Sequence, residues 1–113
     1  MRSSLWTKEA LLNQDKLREF QPVFYPRSVA VVGASPNPAK FGNRYFEALV
    51  KAGFKGPLYP VNPSATEVLG VKAYSTVKGI PGPVEYVIVC VQSPQVLGVL
   101  DDCAAKRVKV VQF

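Results

Sequence analysis

The chain has 113 residues, 48% of them hydrophobic, and this length and composition fit a single domain with one buried core. Fourteen Lys and Arg residues against eight Asp and Glu residues give a formal net charge of +6, which permits an acidic small molecule as ligand. No apolar run approaches the roughly 20 residues of a membrane span, no secretory signal is recognisable, and no basic cluster interleaved with aromatic residues indicates nucleic acid as a partner.

Residues 1–23 are predicted to form a helical extension. Thr7 suits the N-cap position of a helix that continues to Phe20, and Pro22 ends it. The apolar residues of this stretch form only a rough stripe, so we expect the extension to dock on a neighbouring element. Residues 24–113 are predicted to form the domain proper.

The first strand and the turn after it form the most informative stretch of the chain. Val29–Val32 is a continuous apolar run, which predicts a parallel strand buried on both faces. Gly33 ends the strand, and the small side chains of Gly33 and Ala34 let a ligand approach the backbone closely. Ser35 and Asn37 add a hydroxyl and an amide group where the next element begins. The turn therefore suits an anion.

A helix is predicted after this turn, followed by two weaker strand predictions. Gly53 suits the position just past the end of the helix. Residues 57–61 predict a short second strand, and because its two prolines cannot donate to a ladder, a central place in the sheet is unfavourable. Val71–Tyr74 predicts a third, outer strand. The apolar positions that indicate the helix are Tyr45, Phe46, Leu49 and Val50.

The C-terminal part predicts a strand, a helix and a further strand. Val84–Val91 is a second apolar run and indicates another buried parallel strand. Ser93 is predicted as the N-cap and Pro94 as the first residue of the next helix. Val108–Phe113 begins a fifth strand with no outgoing loop, so we expect a C-terminally truncated domain. The predicted apolar face of the helix comprises Val96, Leu97, Leu100, Cys103 and Ala104.

The two cysteines are predicted to be buried free thiols. Cys90 falls inside an apolar strand and Cys103 on the apolar face of a helix, a context that disfavours a disulfide or a metal pair. This cysteine usage, together with the lack of a recognisable signal or membrane span, predicts a cytoplasmic protein.

These elements predict an α/β fold, a Rossmann-like doubly wound parallel sheet of about five strands in the order 3-2-1-4-5. The ligand crevice of such a sheet lies beyond the carboxyl ends of the first and fourth strands. Three segments are expected to converge there, namely residues 33–40, 62–64 and 92–94. The edge of the last strand is expected to be exposed, and an exposed edge favours pairing with a second copy of the chain.

The crevice residues discriminate between nucleotides. The dinucleotide fingerprint GxGxxG would need glycines where Ser35 and Pro38 stand. The second strand ends at Asn62 with no carboxylate to bind a ribose diol, which disfavours NAD and tolerates a phosphorylated ribose. Lys40 and Arg44, near the first turn of the helix, could face the phosphates of such a ligand. Coenzyme A carries a 3′-phosphorylated ribose and a diphosphate, so it fits this pattern.

Three stretches in this order match a known family. FYPRSVAVVGASPNPAKFG, GFKGPLYPVNP and LGVKAYSTVKGIPGPVEYVIVCV resemble the CoA-binding domain of NDP-forming acyl-CoA synthetases. They are also similar to the N-terminal domain of succinyl-CoA synthetase alpha subunits. The resemblance covers residues 24–113. One departure concerns the position after Pro63, where many members carry a lysine and this chain has Ser64.

The resemblance implies a set of CoA-binding residues. The CoA phosphates would meet the turn from Ser35 to Pro38, the adenosine would lie near residues 61–63, and residues 91–93 would form the opposite wall. Lys40 or Lys72 would compensate for the lysine that Ser64 replaces. The complete candidate set is Gly33, Ala34, Ser35, Pro36, Asn37, Pro38, Lys40, Val61, Asn62, Pro63, Val91, Gln92 and Ser93.

The resemblance also implies the reaction of the parent enzyme, which makes acyl-CoA from an acid, CoA and a nucleoside triphosphate through a phosphohistidine. This chain contains no histidine, and Asp101 and Asp102 are adjacent on a helix and cannot flank a substrate together. By itself the chain is predicted to bind CoA or acyl-CoA without catalysis, with ligase domains or a subunit as partners. Two alternatives stay open: a stand-alone or regulatory CoA-sensing module, such as one fused to an acetyltransferase, and an NAD-binding Rossmann protein.

Overall fold

The computed structural model describes residues 21–113. The predictions for Thr7 and for the extension up to Phe20 lie outside the described residues. Residues 21–24 are helical, so the prediction that Pro22 ends a helix is wrong, and the chain then passes into the first strand. The domain boundary at residue 24 stays a prediction.

The main sheet has four parallel strands. They are β1 (Val29–Val32), β2 (Leu58–Val61), β5 (Tyr86–Val89) and β6 (Val110–Gln112), in the order β2-β1-β5-β6. Helix α1 (Phe41–Lys51) follows β1, and helix α2 (Ser93–Ala105) follows β5. The predicted Rossmann-like α/β class is confirmed, with four strands in the sheet where about five were expected.

Each face of the sheet carries its own core. On the α1 face, Val31 and Phe46 are fully buried against Val29 and Ile88. The other face packs around Ala30 and Val87, with Cys103 of α2 buried among them. β1 is buried at all four positions because both helices cover it, as its unbroken apolar run predicted. The strand that carries the Gly33 turn is thus the most enclosed element of the domain.

The predicted third strand is wrong in its pairing. Val71–Lys72 (β4) pairs antiparallel with Glu67–Val68 (β3) as a separate two-stranded sheet. Val68 and Ala73 pack against the main sheet, but among the described residues of this segment only Tyr74 pairs with it, through a single parallel bridge to Val61 of β2. β2 is therefore the last full strand on that side, as its prolines predicted.

Helix α2 differs from its prediction at two points. Gln92, not Ser93, is the N-cap, and Ser93 is already the first helical residue. Leu97 is 74% exposed and Ala104 is also exposed, so neither belongs to the buried face. That face instead consists of Val96, Val99, Leu100 and Cys103. In the part of the chain that the structure describes, no helix has the length and apolarity needed to cross a membrane.

Candidate functional site

The carboxyl ends of β1, β2 and β5 bring the three predicted segments together. The Gly33 amide donates a 2.9 Å hydrogen bond to the carbonyl of Val61 at the end of β2. The Cys90 amide, at the end of β5, donates to the Val32 carbonyl at 2.7 Å. A candidate site therefore lies at the point where the chain leaves β1 for α1 on one face and β5 for α2 on the other.

Gly33 is the position where two of these segments come closest. Its φ of +93° lies in the region that L side chains rarely adopt, and a Cβ there would be 2.7 Å from the Cys90 carbonyl oxygen and 3.1 Å from a Val91 side-chain carbon. Gly42, in the first turn of α1, packs still closer to the same turn, because a Cβ there would be 2.0 Å from the Gly33 carbonyl oxygen. Two glycines therefore let α1 begin directly against the end of β1.

Side-chain amides organise the backbone of the turn. Asn43, 3% exposed in the first turn of α1, donates from Nδ2 to the Ser35 carbonyl at 2.7 Å. Asn62 donates from Nδ2 to the Ala34 carbonyl at 3.1 Å. Within the loop, the Asn37 amide donates to Ser35 Oγ at 3.1 Å. These bonds hold the loop in one conformation, although residues 36–40 are exposed.

Two helix N-termini open towards this edge without a side-chain cap. Lys40 is the N-cap of α1 and Gln92 that of α2, and neither makes a capping hydrogen bond from its side chain. Neither first turn carries an acidic residue. The first amides of a helix have no intrahelical acceptor, and the helix dipole adds partial positive charge there. At α1 this leaves the amides of residues 41–43 as donors, whereas at α2 only the Ser93 amide is left, because Pro94 has no N–H and the Gln95 amide donates to the Gln92 carbonyl at 3.0 Å. Neither helix start carries a carboxylate.

A cleft of about 430 Å³ opens beside the turn, on the α2 face. Its apolar floor is formed by the strand ends, and its rim carries the polar side chains of Ser75, Thr76, Gln95 and Asp102. Four predicted site residues line it, namely Gly33, Val61, Pro63 and Val91. Sequence reasoning missed seven further lining residues, which belong to the loop after the hairpin and to the first three turns of α2: Ser75, Thr76, Val77, Gln95, Gly98, Val99 and Asp102.

The remaining predicted residues lie near the cleft without lining it. Ser35, Pro36, Asn37, Pro38 and Lys40 form the loop into α1, and Gln92 and Ser93 begin α2. Ala34 is fully buried. Which of these residues touch a ligand stays a prediction.

The basic residues around the site differ in whether their side chains already have an interaction partner. Arg44 Nε lies 3.4 Å from the Pro38 carbonyl, so this side chain folds back over the loop. Lys72 lies on the hairpin with its Nζ 5.3 Å from the centre of the Tyr74 ring, a cation–π contact. The Lys40 side chain is exposed and makes no hydrogen bond or ion pair with any described residue. Of these three basic residues, Lys40 is therefore the one whose charged group is free to bind a phosphate at this edge.

The sulfur groups near the site are not activated. Burial raises the pKa of the half-buried Cys90 thiol, and burial together with the charge of Asp102 raises the pKa of the buried Cys103 thiol. A thiol with a raised pKa is protonated at neutral pH and is a poor nucleophile. Both cysteines are free, as predicted, although Cys90 is only half-buried. Among residues 21–113, no cluster of His, Cys, Asp and Glu could hold a metal ion.

A second cleft, of about 400 Å³, lies on the α1 face. It is lined by apolar and aromatic side chains, including Tyr45, Phe54 and Tyr86, and by no charged residue. None of the predicted site residues lines this cleft, so the site at the carboxyl ends of the strands is the better candidate.

The family model described as "CoA binding domain" matches residues 27–113 of the chain. The chain is 47% identical over 88 residues to the alpha subunit of an ADP-forming acetate-CoA ligase II of Pyrococcus furiosus, covering 78% of this chain and 19% of that relative. An ADP-forming acetate-CoA ligase II of Archaeoglobus fulgidus is 40% identical over 91 residues, which cover 80% of this chain and 14% of that protein. The chain thus spans a small part of the length of these curated relatives.

Solved structures agree with these matches. An acetyl-coenzyme A synthetase 1 of Candidatus Korarchaeum cryptofilum, in complex with phosphate and ADP, superimposes with a TM-score of 0.79 at 42% identity, covering 81% of this chain and 20% of that chain. A conserved hypothetical protein of Pyrococcus furiosus superimposes with a TM-score of 0.69 at 34% identity, covering 75% of this chain and 72% of that one.

Proposed function

Because the chain belongs to the CoA-binding domain family and is homologous to the N-terminal part of NDP-forming acyl-CoA synthetases, we propose that its carboxyl-end site holds CoA for acyl-CoA formation. In that reaction an acid, CoA and a nucleoside triphosphate yield acyl-CoA, a nucleoside diphosphate and phosphate. The contribution of this chain is to bind and orient CoA, and the phosphoryl and acyl transfers belong to partner domains or a partner subunit.

The observation that carries the proposal is the pair of helix N-termini that start beside the Gly33 turn. α1 starts at this edge with the amides of residues 41–43 and α2 with the amide of Ser93, and neither first turn contains an acid. Gly33 and Gly42 let α1 begin directly against the end of β1, so the first amides of α1 lie beside the turn, where they could bind a diphosphate. The exposed ammonium of Lys40 adds a counter-charge beside them.

The end of β2 favours CoA over NAD. The Oδ1 atom of Asn62 already accepts hydrogen bonds from the amides of Ser64 and Ala65, each at 2.9 Å. No carboxylate follows β2 to accept from a ribose diol, which is the group that NAD sites usually provide there. A ribose that bears a phosphate meets no negative charge at this strand end, so the 3′-phosphate of CoA is tolerated.

The chain's own side chains support a binding role without chemistry. It contains no histidine, so any phosphohistidine step requires a residue from elsewhere. Burial holds both thiols in their protonated state. We therefore propose that partner ligase domains bind the acid and the nucleotide and contribute the catalytic residues.

Isothermal titration calorimetry with CoA, dephospho-CoA and NAD tests this proposal. We expect CoA to bind more tightly than NAD, because no acid follows β2 to hold the NAD ribose. Dephospho-CoA is expected to fall between them, since it keeps the diphosphate and loses the 3′-phosphate. Tighter binding of NAD than of CoA would remove the proposal.

A stand-alone or regulatory CoA-sensing module is the second candidate. It is favoured by the conserved hypothetical protein of Pyrococcus furiosus, because this chain covers 72% of that protein rather than a small part of a ligase. The two candidates differ in the coding sequence that surrounds the domain in the genome. A neighbouring ligase domain supports the synthetase, and an acetyltransferase domain or none supports the sensor.

We also propose a cytoplasmic location, because free Cys90 and Cys103 suit a reducing compartment. Association of two copies through β6 stays a prediction. Within the described residues β6 pairs only with β5, so its other edge has free backbone groups. Light scattering over a range of concentrations tests it, and a monomer at all concentrations would contradict it.

A further inference from the structure

The amides of Asn43 and Asn62 act on two successive carbonyls of the turn. Asn62 lies at the end of β2 and bonds the Ala34 carbonyl, while Asn43 lies in α1 and bonds the Ser35 carbonyl. Asn43 is 3% exposed, so its side-chain amide is shielded from solvent and its hydrogen bond is made to the turn. Side chains from α1 and from the end of β2 therefore both hold the turn by hydrogen bonds.

The peptide between Ala34 and Ser35 is oriented by the first of these bonds. The chain has no cis peptide among the described residues, so the Ser35 N–H points opposite to the Ala34 carbonyl. Since Asn62 holds that carbonyl, it also sets the direction of the Ser35 amide. The Ser35 amide makes no hydrogen bond with any described residue, and Ser35 is partly exposed. It is a free donor in the predicted anion turn.

The next peptide, between Ser35 and Pro36, cannot donate a hydrogen bond to a ligand because residue 36 is proline. A Ser35–Pro36 peptide has no N–H, so its only polar group is a carbonyl oxygen, which repels a phosphate. Asn43 binds this oxygen at 2.7 Å. An amide is required at both positions, because an aspartate of the same shape has no donor when ionised.

We propose that Asn43 and Asn62 are positioning residues for the CoA diphosphate: Asn62 aims the Ser35 amide at it, and Asn43 keeps the Ser35 carbonyl turned away. This inference rests on the proposed function, and it adds that each asparagine orients a different peptide group of the turn. Neither side chain needs to touch CoA. Asn62 was predicted from the sequence as a contact residue, and its hydrogen bonds instead assign it to the support of the turn.

Asn62→Asp is the sharpest variant. It keeps an oxygen for the Ser64 and Ala65 amides and loses only the donor to the Ala34 carbonyl. Asn43→Asp likewise removes the donor to Ser35. Gln112→Glu is the matched charge control, because Gln112 Oε1 accepts from the Tyr86 hydroxyl and a glutamate keeps that bond, and because Gln112 lines the second cleft and not the proposed site. All three variants add one negative charge.

The readouts are CoA affinity and the Ser35 amide resonance in a two-dimensional NMR spectrum of the 15N-labelled chain. In the wild type we expect CoA to shift the Ser35 amide downfield. Asn43→Asp and Asn62→Asp are expected to abolish that shift and to weaken CoA binding about tenfold more than Gln112→Glu does. Thermal unfolding of each variant reports folding, and Asn43→Ala and Asn62→Ala repeat the test without added charge.

The outcomes separate the two proposals. If wild-type protein binds no CoA, the proposed function fails. If it binds CoA while the Ser35 amide does not shift, or if Gln112→Glu loses as much affinity as the other two, the positioning role is overturned and the function stands. A folded alanine variant that binds CoA as the wild type does would also overturn it.

Discussion

The two ends of the same strands use polar groups in opposite ways. At the amino end, Ser28 Oγ donates to the Pro83 carbonyl at 3.1 Å and accepts from the Glu85 amide at 3.0 Å. Glu85 in turn accepts from the Arg27 amide at 2.8 Å and from the Gln21 side chain at 3.1 Å. These groups satisfy one another, so this end closes the fold.

At the carboxyl end, side chains satisfy carbonyls and leave amides free. The amides of Asn43 and Asn62 bind two carbonyls of the turn, while the amides of Ser35, of the first turn of α1 and of Ser93 have no acceptor among the described residues. In this domain the polar groups at the amino end of the sheet are hydrogen-bonded to one another, whereas amides at the carboxyl end remain available to bind an anion. Variants at the carboxyl end should affect CoA binding most, and variants at the amino end should affect stability alone.

The largest expected effect comes from a methyl group at the start of α1. Gly42→Ala should lower the free energy of unfolding by about 3 kcal/mol, because its Cβ would lie 2.0 Å from the Gly33 carbonyl oxygen. Gly98→Ala is the matched control, since its Cβ meets nothing within 4 Å and alanine favours a helix by about 0.5–1 kcal/mol. Urea denaturation measures both, and equal effects of the two substitutions would contradict the close approach.

Ser35→Glu should abolish measurable CoA binding without unfolding the domain. It places a negative charge where the free amide and the helix N-termini should receive phosphate. Lys55→Gln is the control, because it lowers the net charge by the same unit in the loop that precedes β2, at the amino end. Calorimetry is expected to show near wild-type affinity for Lys55→Gln, and unchanged affinity in Ser35→Glu would place the ligand elsewhere.

Glu85→Gln tests the amino end through the pH dependence of stability. Burial alone would raise the pKa of Glu85, but hydrogen bonds from Arg27 and Gln21 and the charges of Arg27 and Lys109 lower it below 4.5. Because the folded pKa lies below the unfolded value, the carboxylate stabilises the fold above pH 4.5, and this contribution is lost as the pH falls through the folded pKa.

We therefore expect Glu85→Gln to be less stable at pH 7 by about 1 kcal/mol and to lose part of the acid sensitivity of the wild type. Urea denaturation at pH 7 and pH 3 measures both quantities. CoA affinity at pH 7 should not change, because Glu85 lies at the end of the sheet away from the site. A variant with wild-type acid sensitivity, or one with weakened CoA binding, would break the comparison between the two ends.

The smallest expected effect concerns Lys40. Lys40→Gln should weaken CoA binding about three- to fivefold at low salt, because an exposed ammonium contributes little to binding in high dielectric. The loss should shrink in high salt, whereas Lys55→Gln should show no comparable loss at either concentration. Titrations at two ionic strengths measure this, and a loss independent of salt would contradict a charge effect.

The sequence predicted the main sheet better than its surroundings. The runs at Val29–Val32 and in β5 are unambiguous because buried parallel strands are apolar on both faces. The β3–β4 hairpin escaped prediction because its turn places Leu69 at φ +50°, a conformation for which leucine is no signal, before Gly70 at φ +78°. The order 2-1-4-5 within the predicted sheet is confirmed, and only the outer strand is wrong.

The candidate site was predicted in its backbone and missed in its side chains. Small residues after a buried strand identify an anion turn from local sequence alone. The bond from Asn43 to Ser35 could not be read in this way, since it depends on the approach of α1 to the strand end. A signal did exist, because Asn43 is polar and lies three residues before the fully buried Phe46 on the same helix face. The α2 side of the cleft, including Gln95 and Asp102, depends on tertiary packing and carried no local signal.

Amide hydrogen exchange with and without CoA tests most directly the claim that CoA binds at the carboxyl ends of the strands. We expect CoA to slow exchange at residues 35 and 41–43 and at the start of α2, where unpaired donors would meet the phosphates. Residues 25–28 and 107–109, near the amino end, should exchange at the same rate in both states. Protection confined to the amino end, or none at the Ser35 turn under saturating CoA, would contradict the account.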